Sequence, residues 1–215
     1  MLIRCHGHSE FELQAGSVRL LTDPYDEHVG YRMESPEADA VLVSHSHKDH
    51  SFTEKLTGDP VILREAGVFC PAPGVKVTAI PSVHDDQGGA LRGKNLIFVI
   101  EWDGLKLVHL GDQGCMLTEE QLSQIGTPDI LFVPVGGFFT VDGKEAARIA
   151  KKLNSRVTLP MHYKTAANAD WPIADESEFL TEMGAKDAPR MPLLRVTKED
   201  LSQHPPVILL LPECL

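Results

Sequence analysis

Four side chains that can bind a metal stand within six residues of this chain: His45, His47, Asp49 and His50. Three imidazoles and a carboxylate packed this closely are hard to place in a core, because each buried polar group needs its own partner. Imidazole nitrogens and carboxylate oxygens are ligands that divalent metals accept. Four side chains on one short loop cannot all point at one ion, so the spacing H-x-H-x-D-H suggests two metals.

The composition is that of a globular, acidic protein. The chain has 215 residues, of which 42% are hydrophobic and 24% charged, and its formal net charge is −11. This length fits one large domain, residues 1–215, better than two. So acidic a chain is a poor candidate for nucleic-acid binding, because contacts to phosphate need Lys and Arg. A pair of bound divalent cations would offset part of the negative charge.

Cysteine spacing and hydropathy both favour a cytoplasmic protein. Cys5, Cys70, Cys115 and Cys214 form no C-x-x-C pair, as expected for reduced thiols in the cytosol. We expect no signal peptide and no membrane association, because the N-terminal residues lack the pattern of a leader and the apolar runs are too short to span a bilayer. The sequence carries no signal for the oligomeric state.

The elements that must position the metal loop are many short strands, followed by strand–helix alternation. Strands are predicted over residues 17–22, 40–44, 75–80, 95–102, 105–110, 130–135, 156–159, 193–196 and 207–211. Asp103-Gly104 is a hairpin turn signal between two of them. Two helices are predicted, one that opens at Thr118 and one that runs from Asp142 to near Asn154.

Four of the predicted strands end just before a residue that can bind a metal: His45, His84, Asp112 or His162. Strand ends in a layered sheet lie along one edge, so side chains distant in sequence can converge there. Taken alone, His84 and His162 would be ordinary partly buried histidines, and Asp112 a turn residue. Beside the loop at 45–50, they are the further ligands that a two-metal site needs.

The H-x-H-x-D-H loop, with the later histidines and aspartate in this order, resembles the metallo-β-lactamase superfamily. Over residues 1 to about 165 the chain also looks like a branch of small metal-dependent hydrolases related to the ascorbate-6-phosphate lactonases. The segments that carry this resemblance are Gly7-His8-Ser9, Thr22-Asp23-Pro24, Arg92-Gly93-Lys94-Asn95, Leu110-Gly111-Asp112, Pro134-Val135-Gly136-Gly137 and Pro160-Met161-His162-Tyr163. Cys115 departs from the pattern, because a histidine is expected at about this place.

The resemblance implies an α/β fold, a four-layer α/β/β/α sandwich, with two divalent metal ions at one edge. It implies that one metal is held by His45, His47 and His84, the second by Asp49, His50 and His162, and that Asp112 bridges them. Two such cations activate a bridging water as hydroxide, which would be the nucleophile. Asp49 and Asp112 are the catalytic residues of this scheme, with Asp49 orienting the hydroxide. Zn is the first expectation for the metals, and Mn, Fe and Ni are alternatives.

Further residues are candidates around the metals. The resemblance makes Asp23 the acceptor that fixes a metal-bound imidazole, although it could also be an ordinary aspartate at a strand end. Arg92, Lys94 and Tyr163 are candidates for binding an anionic group of the substrate, and His8 could also approach the site.

Two alternatives to these roles remain open. Arg92 and Lys94 could instead be loop solubilisers, or could pair with Asp85 and Asp86. The remaining histidines match no motif and are predicted to be structural or surface residues; they are His6, His28, His109 and His204.

The predicted function is metal-dependent hydrolysis of a small, anionic ester, lactone or phosphodiester. A nuclease of the same superfamily is one alternative. Such enzymes usually carry an RNA-binding domain or insertion, and this compact acidic chain shows none. A di-iron oxidoreductase fits less well, because that branch replaces a histidine of the metal loop by a carboxylate. A metal-binding sensor or scaffold without turnover is the alternative from a different class.

Overall fold

Fourteen short strands and four helices form the computed structural model, which describes residues 1–32 and 36–212. The strands in chain order are β1 Leu2–Gly7, β2 Glu10–Ala15, β3 Val18–Thr22, β4 Ala40–Leu42, β5 Val61–Leu63, β6 Gly67–Phe69, β7 Lys76–Val83, β8 Lys94–Trp102, β9 Leu105–His109, β10 Ile130–Pro134, β11 Val157–Met161, β12 Arg190–Met191, β13 Leu193–Arg195 and β14 Leu209–Leu210. The helices are α1 Lys48–Ser51, α2 Glu119–Ile125, α3 Gly143–Leu153 and α4 Ser177–Met183.

The strands build two six-stranded mixed sheets and one small pair. The first sheet has the order β13-β1-β2-β3-β4-β5 and the second β11-β10-β9-β8-β7-β6, while β12 pairs with β14. Each sheet has parallel strands next to the segments that carry the candidate ligands. In the first sheet β3 pairs parallel with β4, and in the second β10 pairs parallel with both β9 and β11. Parallel neighbours end at the same edge, so the segments that follow them emerge together.

The main core lies between the two sheets. Side chains alternate along β1, and Ile3 and Cys5 are buried while Arg4 between them is partly exposed. Across the interface, the ring of Phe11 lies 4.6 Å from that of Phe132, measured between centroids. Such contacts between inward faces fix the spacing of the sheets and so the relative position of their edges.

A second core lies between the second sheet and helices α2, α3 and α4. The buried side chains of α3 include Ala146 and Ile149, which pack in one cluster with Leu131 of β10. The first sheet has a thinner outer cover, because its outer cluster has only four buried members, Leu21, Ala38, Val41 and Val43, among the described residues, with the partly buried Leu56 packed against them. The predicted α/β sandwich is therefore confirmed, with an asymmetric pair of outer layers.

Both predicted helices and their caps are confirmed. The side chain of Thr118 accepts a hydrogen bond from the backbone N–H of Gln121, and Asp142 makes the equivalent capping box at the start of α3. Asn154 ends α3 in the left-handed region at φ 51°. The predicted hairpin is also confirmed, since β8 and β9 pair antiparallel around Asp103-Gly104.

The last predicted strand, 207–211, is only partly correct. Regular pairing is confined to Leu209–Leu210, and Val207 makes an isolated bridge to Thr158. Cys214 lies outside the described residues. Within the described ranges, every helix is too short or too polar to cross a bilayer.

Candidate metal centre

The predicted metal ligands gather at one edge of the sandwich, on the loops that follow four strands. His45 and its neighbours follow β4, and α1 begins within this loop, with His47 as its N-terminal cap residue. His84 follows β7, Asp112 follows β9 and His162 follows β11. The strand-end pattern seen in the sequence thus corresponds to a spatial cluster.

Asp112 lies at the centre of this cluster. Its Oδ2 atom is 3.0 Å from His84 Nε2, 3.2 Å from His162 Nε2 and 3.8 Å from His45 Nε2. Its Oδ1 atom is 3.2 Å from His50 Nε2. One buried carboxylate therefore faces four imidazole nitrogens from three other loops.

The side chains around Asp112 fall into two neighbouring groups of possible ligands. In one group, His45, His47 and His84 place nitrogen atoms within 4.8 Å of one another. In the other, ligand atoms are equally close together, and the residues are His8, Asp49, His50 and His162. A third set, His45, His50 and Asp112, links the two groups.

His8 is a buried neighbour of Asp49. Its Nε2 atom lies 3.3 Å from Asp49 Oδ2, and its ring centroid is 4.1 Å from that of His162. Burial lowers the pKa of His8 to about 4. Since His8 is 4% exposed and does not line the cavity over the cluster, the structure favours contact with Asp49 over contact with substrate.

Asp23 contacts the ring nitrogen of His50 that faces away from Asp112. Its carboxylate accepts hydrogen bonds from the backbone N–H of Ser44 (2.7 Å) and the hydroxyl of Ser44 (2.7 Å), and lies 2.9 Å from His50 Nδ1. A proton on Nδ1 of His50 leaves Nε2, the atom that faces Asp112, free to bind a metal. This is the geometry expected of a carboxylate that fixes a metal-bound imidazole.

His109 and Asn95 support the same edge. His109 is fully buried; its Nδ1 accepts the N–H of Gly111 (3.1 Å), and its Nε2 lies 3.1 Å from the carbonyl of Ser9. Asn95 accepts the N–H of Asp112 (3.1 Å) through Oδ1 and donates to the carbonyl of Leu110 (2.8 Å). The backbone that leads into Asp112, from Leu110 to the N–H of Asp112 itself, is therefore held by buried side chains.

Gly111 is required by close packing next to Asp112. Its φ is 55°, in the left-handed region, and a Cβ atom there would lie 2.3 Å from Asn95 Oδ1 and 2.6 Å from Ser44 Cβ. These distances are well below van der Waals contact. No other residue type can bring the β9 loop this close to the metal loop.

The buried carboxylates and imidazoles of the cluster shift each other's pKa. Burial opposes ionisation of Asp112, but His162 and His50 outweigh it and hold the pKa of that carboxyl well below its usual value. Burial likewise opposes protonation of His50, but Asp112, Asp49 and Asp23 raise its pKa well above the usual value. The buried carboxylates thus stay anionic and draw cations, either protons on the imidazoles or metal ions that replace them.

The polar atoms in this cluster fit metal ions. His45 Nε2, His50 Nε2 and Asp112 Oδ1 are buried and make no hydrogen bond to any part of the chain that the structure describes. Unpaired buried polar atoms are costly, and a divalent cation would satisfy all three. Nitrogen and oxygen donors of this kind suit Zn and its first-row neighbours.

A cavity of about 490 Å³ opens over the cluster. Asp49, Asp112 and His162 lie at its base, and Arg92 also lines it. Lys94 instead lines a neighbouring groove of about 790 Å³, which Arg92 borders as well. Of the two cations predicted to bind an anionic substrate, Arg92 alone reaches the cavity over the metal residues.

Tyr163 is not brought to this cavity. It packs against the second core and lines a small crevice beside Cys5 and Tyr31. Burial raises the pKa of its phenol far above the ordinary value. The geometry therefore gives no support to a substrate contact from Tyr163.

The loop that carries Arg92 is tied down by Asp85, the residue after His84. The Asp85 carboxylate accepts backbone N–H bonds from Gln87 (2.8 Å), Gly89 (2.9 Å), Leu91 (2.9 Å) and Arg92 (2.8 Å). Although burial opposes ionisation, these donors lower the pKa of Asp85 to about 2. The Asp85 carboxylate thus binds the loop backbone, including the N–H of Arg92, rather than the guanidinium with which the sequence could have paired it.

Five residues of the cavity lining were not predicted from the sequence: Asp170, Pro172 and the three aromatic side chains His28, Phe139 and Trp171. His28 was expected to be structural or on the surface. Phe139 and Trp171 are aromatic residues on loops, and no spacing distinguishes them from ordinary packing residues. Cys115 is half-buried, near Gln113 rather than among the metal residues.

Comparison with known proteins gives consistent matches over most of the chain. The family described as "Beta-lactamase superfamily domain" matches residues 2–162. A protein named as a metal-dependent hydrolase from Thermococcus onnurineus is 32% identical over 213 residues, covering 86% of this chain and 92% of the relative. A second protein of that name, from Thermoplasma acidophilum, is also 32% identical and covers 74% of this chain and 82% of its own.

Solved structures show the same fold. An inferred Zn-dependent hydrolase of the metallo-beta-lactamase superfamily from Thermotoga maritima matches with a TM-score of 0.78 and 31% identity, over 97% of each chain. A metallo hydrolase from Ignicoccus hospitalis matches with a TM-score of 0.64 and 22% identity, over 86% of this chain and 91% of the other. The second likeness is one of fold alone.

Proposed function

The chain belongs to the beta-lactamase superfamily and to its metal-dependent hydrolases, and from this premise we propose that it uses two divalent cations to hydrolyse a small anionic ester, lactone or phosphodiester. The observation that carries the proposal is the position of Asp112, whose two carboxylate oxygens face imidazoles of both ligand groups. A carboxylate placed between two sets of ligands is suited to bridge two ions.

The ligand assignment follows the two groups. His45, His47 and His84 would hold one cation, Asp49, His50 and His162 the other, and Asp112 both. His8 would hold the Asp49 carboxylate in place through its 3.3 Å contact. Asp23 and Ser44 would fix the second group through His50. Each of these partners would reduce the freedom of a ligand before any metal binds.

When bound, the cations supply Lewis acidity and lower the pKa of an attacking water. Asp49 lines the cavity and has a partly exposed carboxylate, so it can accept a hydrogen bond from that water and orient it. Arg92 lines the same cavity, where it can bind an anionic group of the substrate. The cavity volume limits the part of the substrate that is enclosed to a small molecule.

Zn is the metal we propose first, because the ligand set is rich in histidine. Mn, Fe and Ni accept the same mixture of nitrogen and oxygen donors. We also propose that the protein acts in the cytoplasm, since Cys5, Cys70 and Cys115 are free thiols in the structure.

Metal analysis combined with turnover assays tests this function. The purified protein, loaded with Zn or Mn, should bind two ions per chain and hydrolyse bis-(p-nitrophenyl) phosphate or a simple lactone. Asp112→Ala should lose bound metal and at least about 10²-fold in kcat/KM, and a chelator should abolish turnover. The matched control is Asp187→Ala, which removes an exposed carboxylate after α4 and should leave both readouts unchanged.

Other outcomes separate the alternatives. Two bound ions without turnover on a broad panel of esters, lactones and phosphodiesters would favour a metal-binding sensor or scaffold. Turnover confined to RNA would favour a nuclease. One bound ion with full activity would exclude the bridging role of Asp112.

A further inference from the structure

One wall of the cavity is aromatic. Trp171 lies at its centre, with the Phe139 ring 6.2 Å away at 78° and the His28 ring 5.8 Å away. The same indole is 5.4 Å from His8 and 6.5 Å from His162, so the wall reaches the metal residues directly. Pro172 continues this surface within the cavity lining.

One positively charged group, the guanidinium of Arg92, lies beside the aromatic wall. The Cζ atom of Arg92 lies 5.6 Å from the centroid of the Phe139 ring, within the range of a cation–π contact. The backbone N–H of Arg92 is held by Asp85, so this side chain is extended from a fixed point. Arg92 is the only Lys or Arg among the described residues that line the cavity.

Phe138, next to Phe139, is held in a conformation that has a cost. It adopts φ 58°, in the left-handed region that a bulky residue rarely occupies, and its side chain is 63% exposed. Its ring packs perpendicular to that of Phe139 at 4.8 Å. Strain and apolar exposure thus occur together next to Phe139 of the cavity lining, where such strain is more often linked to binding than to packing.

Resting on the proposed hydrolytic function, we propose that the wall formed by His28, Phe139 and Trp171 binds an aromatic ring of the substrate, and that Arg92 binds the anionic group beside that ring. The substrate class is then aryl or arylalkyl esters, lactones or phosphodiesters, rather than compact polar molecules such as sugar phosphates. An aryl group presents more apolar surface to these three rings than a compact sugar phosphate does.

The charges around the wall agree with this orientation. Asp170 precedes Trp171 in the chain and also lines the cavity, so an anionic group at that end of the wall would be repelled. Arg92 lies at the Phe139 end, where an anion would be attracted. An aromatic anion therefore has one favourable orientation, with its ring on Trp171 and its charge towards Arg92.

Binding of a matched pair of probes tests the inference without turnover. Isothermal titration of the zinc-loaded protein with phenylphosphonate and with methylphosphonate compares two ligands that differ by one ring. We expect phenylphosphonate to bind at least about tenfold more tightly. Trp171→Leu should reduce this preference to less than about threefold, Trp171→Phe should retain most of it, and the metal content of both variants should be unchanged.

Two further variants separate the ring from the charge. Arg92→Leu should weaken the binding of both probes by a similar factor, about tenfold, and leave their ratio unchanged. Phe69→Leu, which alters an aromatic residue of the edge strand β6 away from the cavity lining, should change neither affinity.

The outcomes distinguish this inference from the proposed function. Equal affinities for the two probes, no binding of either, or an unchanged ratio in Trp171→Leu would overturn it. If the ring preference is present but the hydrolysis panel is negative, the proposed function fails and the aromatic site stands. If hydrolysis occurs without any preference for aromatic substrates or probes, the proposed function stands and the aromatic site fails.

Discussion

Replacing Gly111 by alanine tests whether the β9 loop and the metal loop are as close as the structure places them. Two penalties follow from the geometry. The φ of 55° costs an alanine about 1–2 kcal/mol relative to right-handed backbone, and the entropy of the unfolded glycine offsets about 0.4–1 kcal/mol of this. The added Cβ would lie 2.3 Å from Asn95 Oδ1, an overlap that costs about 1–3 kcal/mol.

The displaced Asn95 adds a third penalty. Its side chain accepts the N–H of Asp112 and donates to Leu110, and each buried hydrogen bond contributes about 1 kcal/mol. We therefore expect Gly111→Ala to lower the free energy of unfolding of the metal-free protein by about 4 kcal/mol, or roughly 10 °C in Tm for a chain of this size. Because Asp112 is displaced, metal content should fall as well.

Gly16→Ala supplies the matched control. Gly16 has φ 60°, almost the same as Gly111, but a Cβ there meets no atom within 4 Å. This variant should show the conformational cost alone, about 1 kcal/mol, with normal metal content. Urea unfolding of both variants in chelator gives the difference. If the two free energies agree within about 1 kcal/mol, the close approach at Gly111 is not present in the folded protein.

Three further predictions follow from named contacts. Asp23→Asn should lower metal affinity about 10–100-fold, because it weakens the contact between residue 23 and His50 Nδ1. Competition with a chelating dye measures the affinity, and an unchanged value would exclude the orienting role of Asp23. Asp85→Ala should raise KM about tenfold, with kcat and metal content retained. The N–H groups of loop 87–92 lose the carboxylate that accepts their hydrogen bonds, so Arg92 is held less firmly. A fall in kcat alone would contradict this. At pH 8, Cys70 should react with iodoacetamide while Cys5 does not. Burial raises the pKa of the Cys5 thiol to about 12, so only about one Cys5 in ten thousand is the reactive thiolate at this pH. Peptide mapping of the alkylated protein before and after denaturation checks this.

The convergence of the metal residues was predictable because it depends on local signals. His45, His84, Asp112 and His162 each follow an apolar strand, and parallel or adjacent strands bring their ends to one edge. The capping boxes of α2 and α3 are equally local, since each needs only a polar side chain and its third neighbour.

The aromatic wall was not predictable, because its residues have no shared pattern. His28 lies in the 3-10 turn Glu27–Val29, and Phe139 and Trp171 lie on two later loops. These three positions are far apart in sequence, and each residue alone could be an ordinary structural or surface residue. Tyr163 illustrates the reverse error. It follows His162 directly, yet it lines a separate crevice beside Cys5 and Tyr31.

The order in which the cluster is assembled along the chain has a consequence for biogenesis. The N–H of His162 bonds to the carbonyl of His8, joining the β1–β2 turn to the end of β11. A chain emerging from the ribosome presents the histidine-rich loop long before β11 can pair with β10, and long-range strand pairing is slow. The full set of ligands thus exists only after most of the polypeptide has been made. Binding of metal by the complete proposed set of ligands therefore comes only after β11 has paired with β10.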